Sequence, residues 1–283
     1  MALSLFATLL SSAALASDRI VVDVIGEGDA VLFIPGLTSS PDVFTPFTKT
    51  LDGVHVHHVT LAGFGGVPAP DNLDAFTRPA ADALAAYIES HDLTDVRLVG
   101  HSMGGIVALL VAADIPERID SILIIDSVPF LAGLMQPGAE PEAMSERREA
   151  MRAQFDTATR EEFLGMMRQG LPIQATSPES QAIVWADIER ADQVAVAIAA
   201  SEIFATDFRP VLDDVEAPVT VVVPHNPFTG MTAEFMADRY RGQYDSLDSV
   251  DIRIVDNSRH FIMLDQPEIF AAELNRFLTE DDQ

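Results

Sequence analysis

Short apolar runs alternate with longer segments of helical period along this chain, and that alternation narrows the choice of fold more than any other feature. Residues 20–25, 31–34, 54–61, 96–99, 122–125, 219–223 and 252–255 read as strands, several of them continuously apolar. A strand that is apolar on both faces needs cover on both, which is the situation of a parallel sheet with helices on each side. Residues 73–90, 103–113, 232–240 and 267–278 place apolar side chains at helical spacing, with Pro267 suited to a first helical turn. The expectation is an α/β fold built on an open sheet with right-handed crossovers. The alternation breaks once. Residues 129–208 are rich in Met, Ala, Glu and Arg without strand character, and 142–155, 160–169 and 180–205 read as helices with joints at Pro141, Pro172 and Pro178. This divides the chain into a core of 17–128 and 209–283 and a helical excursion of 129–208 on top of the sheet.

Composition removes several classes of function. With 44 acidic against 17 basic residues the net charge is −27 at pH 7, and Lys49 is the sole lysine. Phosphate contacts need clustered cations, so neither nucleic acid nor an anionic membrane is an expected partner. The hydrophobic fraction of 48% is that of a globular chain, so the acidity does not signal disorder. The absence of cysteine excludes disulfides, thiolate zinc sites and a Cys nucleophile. Residues 1–16 carry no charge, an apolar run and the triplet Ala14-Leu15-Ala16, which resembles a signal peptide lacking a basic n-region; the expected location is periplasmic or secreted. No other window reaches the ~18 apolar residues of a membrane span. No feature fixes an oligomeric state.

Three motifs carry chemistry. Gly100-His101-Ser102-Met103-Gly104 follows the apolar run 96–99 directly and opens an Ala/Val/Leu helix. A serine cap after a glycine turn would be the plainer reading. The strand-to-helix context favours a sharp turn that exposes Ser102, with Gly100 and Gly104 where a Cβ would collide. The Met103 N–H, at the helix start, would face a developing oxyanion, and the Leu37 N–H after Pro35-Gly36 would supply a second donor. Pro-Gly by itself marks only a turn. His260 lies on a loop between the last strand and the last helix, where a general base can reach the strand tips. Of the other histidines, His101 belongs to the elbow, His91 follows a helix and His225 ends a strand near the site. His55, His57 and His58 alternate along one strand and are not expected to converge on a metal. No dinucleotide fingerprint, phosphate loop or ligand cluster implies a cofactor.

The strand order, the Pro35-Gly36 loop, the Gly100 to Gly104 elbow and the His260-Phe261 ending resemble the α/β-hydrolase superfamily, in its serine esterase and lipase-like branch. The resemblance implies a mostly parallel sheet flanked by helices, with a helical cap inserted after the sixth strand, and a catalytic triad that includes Ser102 and His260. Relatives usually carry the acid after the strand matching 219–223, in a Gly-x-x-Asp setting. Here that loop reads Pro224-His225-Asn226-Pro227-Phe228-Thr229-Gly230, with no carboxylate. Three candidates stay open. Some branches carry the acid after the preceding strand, where this chain has Asp126; Asn226 could orient His260 without charge; another carboxylate could serve. Asp256 stands too near His260 in sequence to be a comfortable partner.

The expected activity is hydrolysis of an ester or lactone of a small or medium apolar acyl compound, through an acyl-enzyme on Ser102. Epoxide hydrolases and haloalkane dehalogenases of the superfamily place Asp where this chain has Ser102, which argues against both. C–C bond or amide hydrolysis by the same residues is an alternative, as is a binding protein that keeps the pocket without turnover. The insertion contains Met135, Met144, Met151, Met166 and Met167 beside Phe130, Phe155, Phe163, Trp185 and Phe204, which could line an adaptable apolar pocket or simply pack the helices together.

Overall fold

The structure, a computed structural model, describes residues 17–136 and 138–279; the signal-like segment 1–16 lies outside them. Seven strands, β1 (Ile20–Ile25), β2 (Asp29–Ile34), β3 (Val54–Leu61), β4 (Val96–His101), β5 (Ile119–Ile125), β6 (Val219–His225) and β7 (Val250–Asp256), form one sheet in the order β1-β3-β2-β4-β5-β6-β7. Only the β1–β3 pair is antiparallel. The helices are α1 (Thr45–Thr48), α2 (Thr77–Ser90), α3 (Met103–Asp114), α4 (Leu131–Met135), α5 (Met144–Thr157), α6 (Arg160–Gln174), α7 (Pro178–Arg190), α8 (Gln193–Ala205), α9 (Ala233–Arg241), α10 (Ile262–Asp265) and α11 (Pro267–Thr279).

Continuous apolar runs form the central strands because both of their faces are covered. Leu32, Ile34, Leu98 and Ile124 pack with α2 and α3 on one side, while Val31, Phe33, Val99 and Ile125 pack with Phe270, Leu274 and Phe277 of α11 on the other. Burying each such side chain is worth about 1.5–3 kcal/mol. Helix α3 is buried almost all round, which explains why its sequence shows no polar face.

Register brings the strand ends together. Ile34 pairs with Gly100, His101 with Ile125, Ile125 with Val222 and His225 with Asp256. The chain runs from β2 to β3 on one side and from β4 to β5 on the other, so the loops after β2 and β4 diverge. Open α/β sheets form their ligand crevice at such a switch point, beyond the carboxyl ends of the strands.

The insertion, α4 to α8, leaves the sheet after β5 and returns at β6. It departs one strand earlier than the resemblance implies, because the chain reaches Ile125 with five strands laid down. The reading of 180–205 as one helix is corrected: Asp192 accepts the Ala195 N–H at 2.9 Å and starts α8 afresh after α7. The joint expected at Pro172 is also absent. Proline there falls in the last turn of α6, where its carbonyl is taken by the Arg259 guanidinium instead of continuing a helix.

Candidate active site

The turn from β4 into α3 places Ser102 at φ 54° and ψ −122°, a conformation that L residues rarely adopt. Close packing imposes it. A Cβ on Gly104 would lie 2.1 Å from the Ile34 carbonyl oxygen, and one on Gly100 would lie 2.5 Å from that of Gly104. The Ser102 N–H donates to the Ile125 carbonyl at 2.9 Å, tying the elbow to the end of β5. Met103 is the first residue of α3, so its N–H has no partner within the helix.

The loop after β2 approaches the elbow closely, since a Cβ on Gly36 would fall 2.9 Å from Ser102 Cβ. Leu37 follows, and its carbonyl accepts the Thr38 hydroxyl at 2.6 Å. Both Leu37 and Met103 line the same cavity as Ser102. The loop is fastened from the insertion: buried Asp187 of α7 accepts the Ser40 N–H at 2.8 Å and its hydroxyl at 3.0 Å.

Asp126 directly follows β5 at φ 43°, and its Oδ2 accepts His260 Nδ1–H at 2.6 Å. That bond fixes the tautomer in which Nε2 is the free basic nitrogen. Tyr240 of α9 donates its hydroxyl to the other oxygen, Oδ1. The backbone of His260 is held as well, because His101 Nε2–H donates to its carbonyl at 3.0 Å. Burial pushes the His101 imidazole well below its usual range, and His260 nearby pushes it further, so it stays neutral.

Asn226 lines the cavity, yet its side-chain oxygen accepts the Phe228 N–H at 3.1 Å and His260 is not its partner. Asp256 pairs with His225 at 2.5 Å rather than with His260. His225 Nε2–H also donates to the Met231 carbonyl at 2.9 Å, and these two acceptors raise its pKa, the carbonyl most. His55 and His57 do share a face, 3.2 Å apart, but His58 turns away to Thr48. Among the described residues no group of three or more His, Asp or Glu side chains could hold a metal.

The cavity above Ser102 and His260 measures about 860 Å³. Among the described residues that line it, Arg259 is the one charged side chain besides Asp126. Of the insertion's methionines, Met135, Met166 and Met167 reach it; none of Phe130, Phe155, Phe163, Trp185 and Phe204 does. Those rings pack elsewhere, Phe163 against Phe155 and Trp185 under Arg168. The loop after β6 and α9 contribute what the sequence reading missed, Phe228, Met231, Met236 and Tyr240. Phe228, 96% exposed, stands at the rim.

Residues 31–273 match the model of the Alpha/beta hydrolase family. A segment of 155 residues is 32% identical to a pimeloyl-[acyl-carrier protein] methyl ester esterase of Shewanella oneidensis, covering 53% of this chain and 55% of that protein. Another of 104 residues is 30% identical to Lipase 1 of Psychrobacter immobilis, covering 36% of this chain and 33% of the relative. The chain thus spans little more than half the length of the first and a third of the second. Among solved structures, an esterase from Thermogutta terrifontis superposes with a TM-score of 0.74 at 20% identity over 92% of both chains. An enol-lactonase from Burkholderia xenovorans LB400 does so with a TM-score of 0.73 at 16% identity, over 92% of this chain and 96% of the other; at such identities the likeness is one of fold. The family match runs from β2 into α11 and takes in the elbow, Asp126 and His260, and by it the chain belongs to the alpha/beta hydrolase family.

Proposed function

We propose that the chain is a serine hydrolase of carboxylic esters and lactones with small to medium apolar acyl parts. The observation that carries this reading is the 2.6 Å bond from His260 to Asp126 beside Ser102 on the wall of an apolar cavity. His260 Nε2 takes the Ser102 proton as the hydroxyl attacks the carbonyl, and the imidazolium so formed is stabilised by Asp126. The N–H groups of Leu37 and Met103 receive the oxyanion. The protonated His260 then hands its proton to the leaving alkoxide, and water attacks the acyl-enzyme by the same route.

The lining supports the substrate class. With Arg259 as the one cation among its described lining residues, and its Nη1 engaged by the Pro172 and Ala175 carbonyls, the cavity favours neutral apolar acyl chains over sugars or peptides. The relatives, a methyl ester esterase and a lipase, point the same way. The loop after β6 carries no carboxylate, and in this reading Asp126 serves as the acid in its place. A periplasmic or secreted location is part of the proposal and rests on the pattern of residues 1–16; N-terminal sequencing of the mature protein checks it.

An ester panel of graded acyl length, with one lactone and one amide, tests the activity. Turnover of esters and the lactone that falls by at least about 10⁴-fold in Ser102→Ala is expected. Equal turnover by the variant, or activity confined to the amide, contradicts the reading.

A further inference from the structure

Asp126 is held at three points. Its N–H donates to the Val222 carbonyl at 2.9 Å, its Oδ2 accepts from His260, and its Oδ1 accepts from the buried hydroxyl of Tyr240. Tyr244, four residues on, donates to the Ser127 carbonyl at 2.9 Å, so two tyrosines grip the two residues that follow β5. Tyr240 stands at the end of α9, the helix after the β6 loop. In the superfamily pattern that loop bears the acid; here the loop 226–232 has no carboxylate, and Tyr240 of the following α9 reaches across to Asp126 after β5.

A carboxylate with one oxygen on a histidine and the other unpaired in an enclosed site is free to rotate or to take up a proton, since an unpaired buried oxygen is costly. We propose that Tyr240 is the positioning residue of the site: its hydroxyl fixes the rotamer of Asp126 and disperses part of its charge, which sets how basic His260 is. This rests on the reading of Asp126 as the acid. Burial and the neighbouring Asp126 carboxylate push the phenol of Tyr240 well above its usual range, which keeps the hydroxyl protonated as a donor. It touches neither Ser102 nor the scissile bond in the proposed reaction and acts through Asp126.

Tyr240→Phe keeps the ring and removes the donor. Assayed on the ester that the wild type cleaves fastest, kcat is expected to fall by about 10- to 100-fold, the loss typical of a hydrogen bond to a charged group. KM is expected to stay within about twofold. The acid limb of kcat/KM, which reports the free enzyme's base, should move to higher pH, because an undispersed carboxylate holds the His260 proton more tightly. A role in packing alone would lower the plateau and leave the limb in place. Tyr240→3-fluorotyrosine, a stronger donor of nearly the same shape, should move the limb to lower pH, and serves if the Phe variant fails to fold. Asp126→Asn is run beside them. If it is nearly inactive while both Tyr240 variants keep wild-type kcat and limb, the positioning role is overturned and the acid assignment stands; if Asp126→Asn turns over normally, the acid assignment falls and this inference with it.

Discussion

Ser102 and Asp126 both sit at positive φ, 54° and 43°, at the ends of adjacent strands, and each such conformation costs on the order of 1–3 kcal/mol. The surroundings hold them there, and Gly104 shows how tightly. Gly104→Ala would drive its Cβ into the Ile34 carbonyl, so the variant is expected to lose more than about 3 kcal/mol in urea unfolding, with turnover lost as the elbow shifts. Asp126→Asn and Asn226→Ala separate the candidate acids: kcat should fall about 10³- to 10⁴-fold in the first and by less than about threefold in the second. Ser102 and His260 are legible in the sequence because each lies in a local pattern that a strand end explains. The choice between Asp126 and Asn226 is not, since it depends on which of two neighbouring loops turns its side chain toward a third. Tyr240 is less legible still, because nothing near it in the sequence marks a hydroxyl that reaches the end of β5.

At the level of elements, carboxylates bind the insertion to the core, two of them, Asp187 and Glu202, buried. Asp187 of α7 holds Ser40, and Glu202 of α8 accepts the Phe76 and Thr77 N–H groups where α2 begins. Asp265 of α10 accepts the Thr176 N–H at 2.8 Å with one oxygen and the Arg259 N–H at 2.8 Å with the other, joining the insertion to the loop of His260. The insertion is therefore part of the frame that holds the Leu37 and His260 loops. Asp187→Ala is expected to lower stability by about 2–4 kcal/mol and to raise the barrier of the oxyanion step, seen as a fall in kcat with KM little changed, because Ser40 loses its acceptor and its loop relaxes. The strands and the helices flanking the sheet were visible as periodicity. The division of α7 from α8 was not, because the residues on either side are good helix formers and only the Asp192 cap marks the break. The destination of the insertion's aromatic rings, which pack among the helices and not in the cavity, depends on tertiary packing that composition does not encode.

For the whole molecule, the charge of −27 and the buried histidines govern the response to medium. Self-repulsion among the acidic side chains should be screened by salt, so the thermal midpoint is expected to hold or rise with added NaCl, and a steep fall would contradict this. Burial lowers the pKa of His58 and His101 and takes His57 to about 4. Unfolded, these groups bind protons below about pH 6.5, whereas the folded state refuses them, so stability should fall as pH drops from about 6.5 toward those lowered values. His225 acts in the opposite sense: its raised pKa stabilises the fold fully below about 6.5, and the benefit is lost as pH rises through the raised value. Urea midpoints at constant ionic strength should therefore decline between about pH 7 and pH 5, where the three lowered histidines outweigh the one raised. Catalysis itself rests on Ser102 being an activated nucleophile. Mass spectrometry of the folded chain after treatment with a fluorophosphonate tests it most directly: one adduct on Ser102, lost in His260→Ala, is the predicted result, and an unlabelled Ser102 in folded wild-type protein would contradict the account.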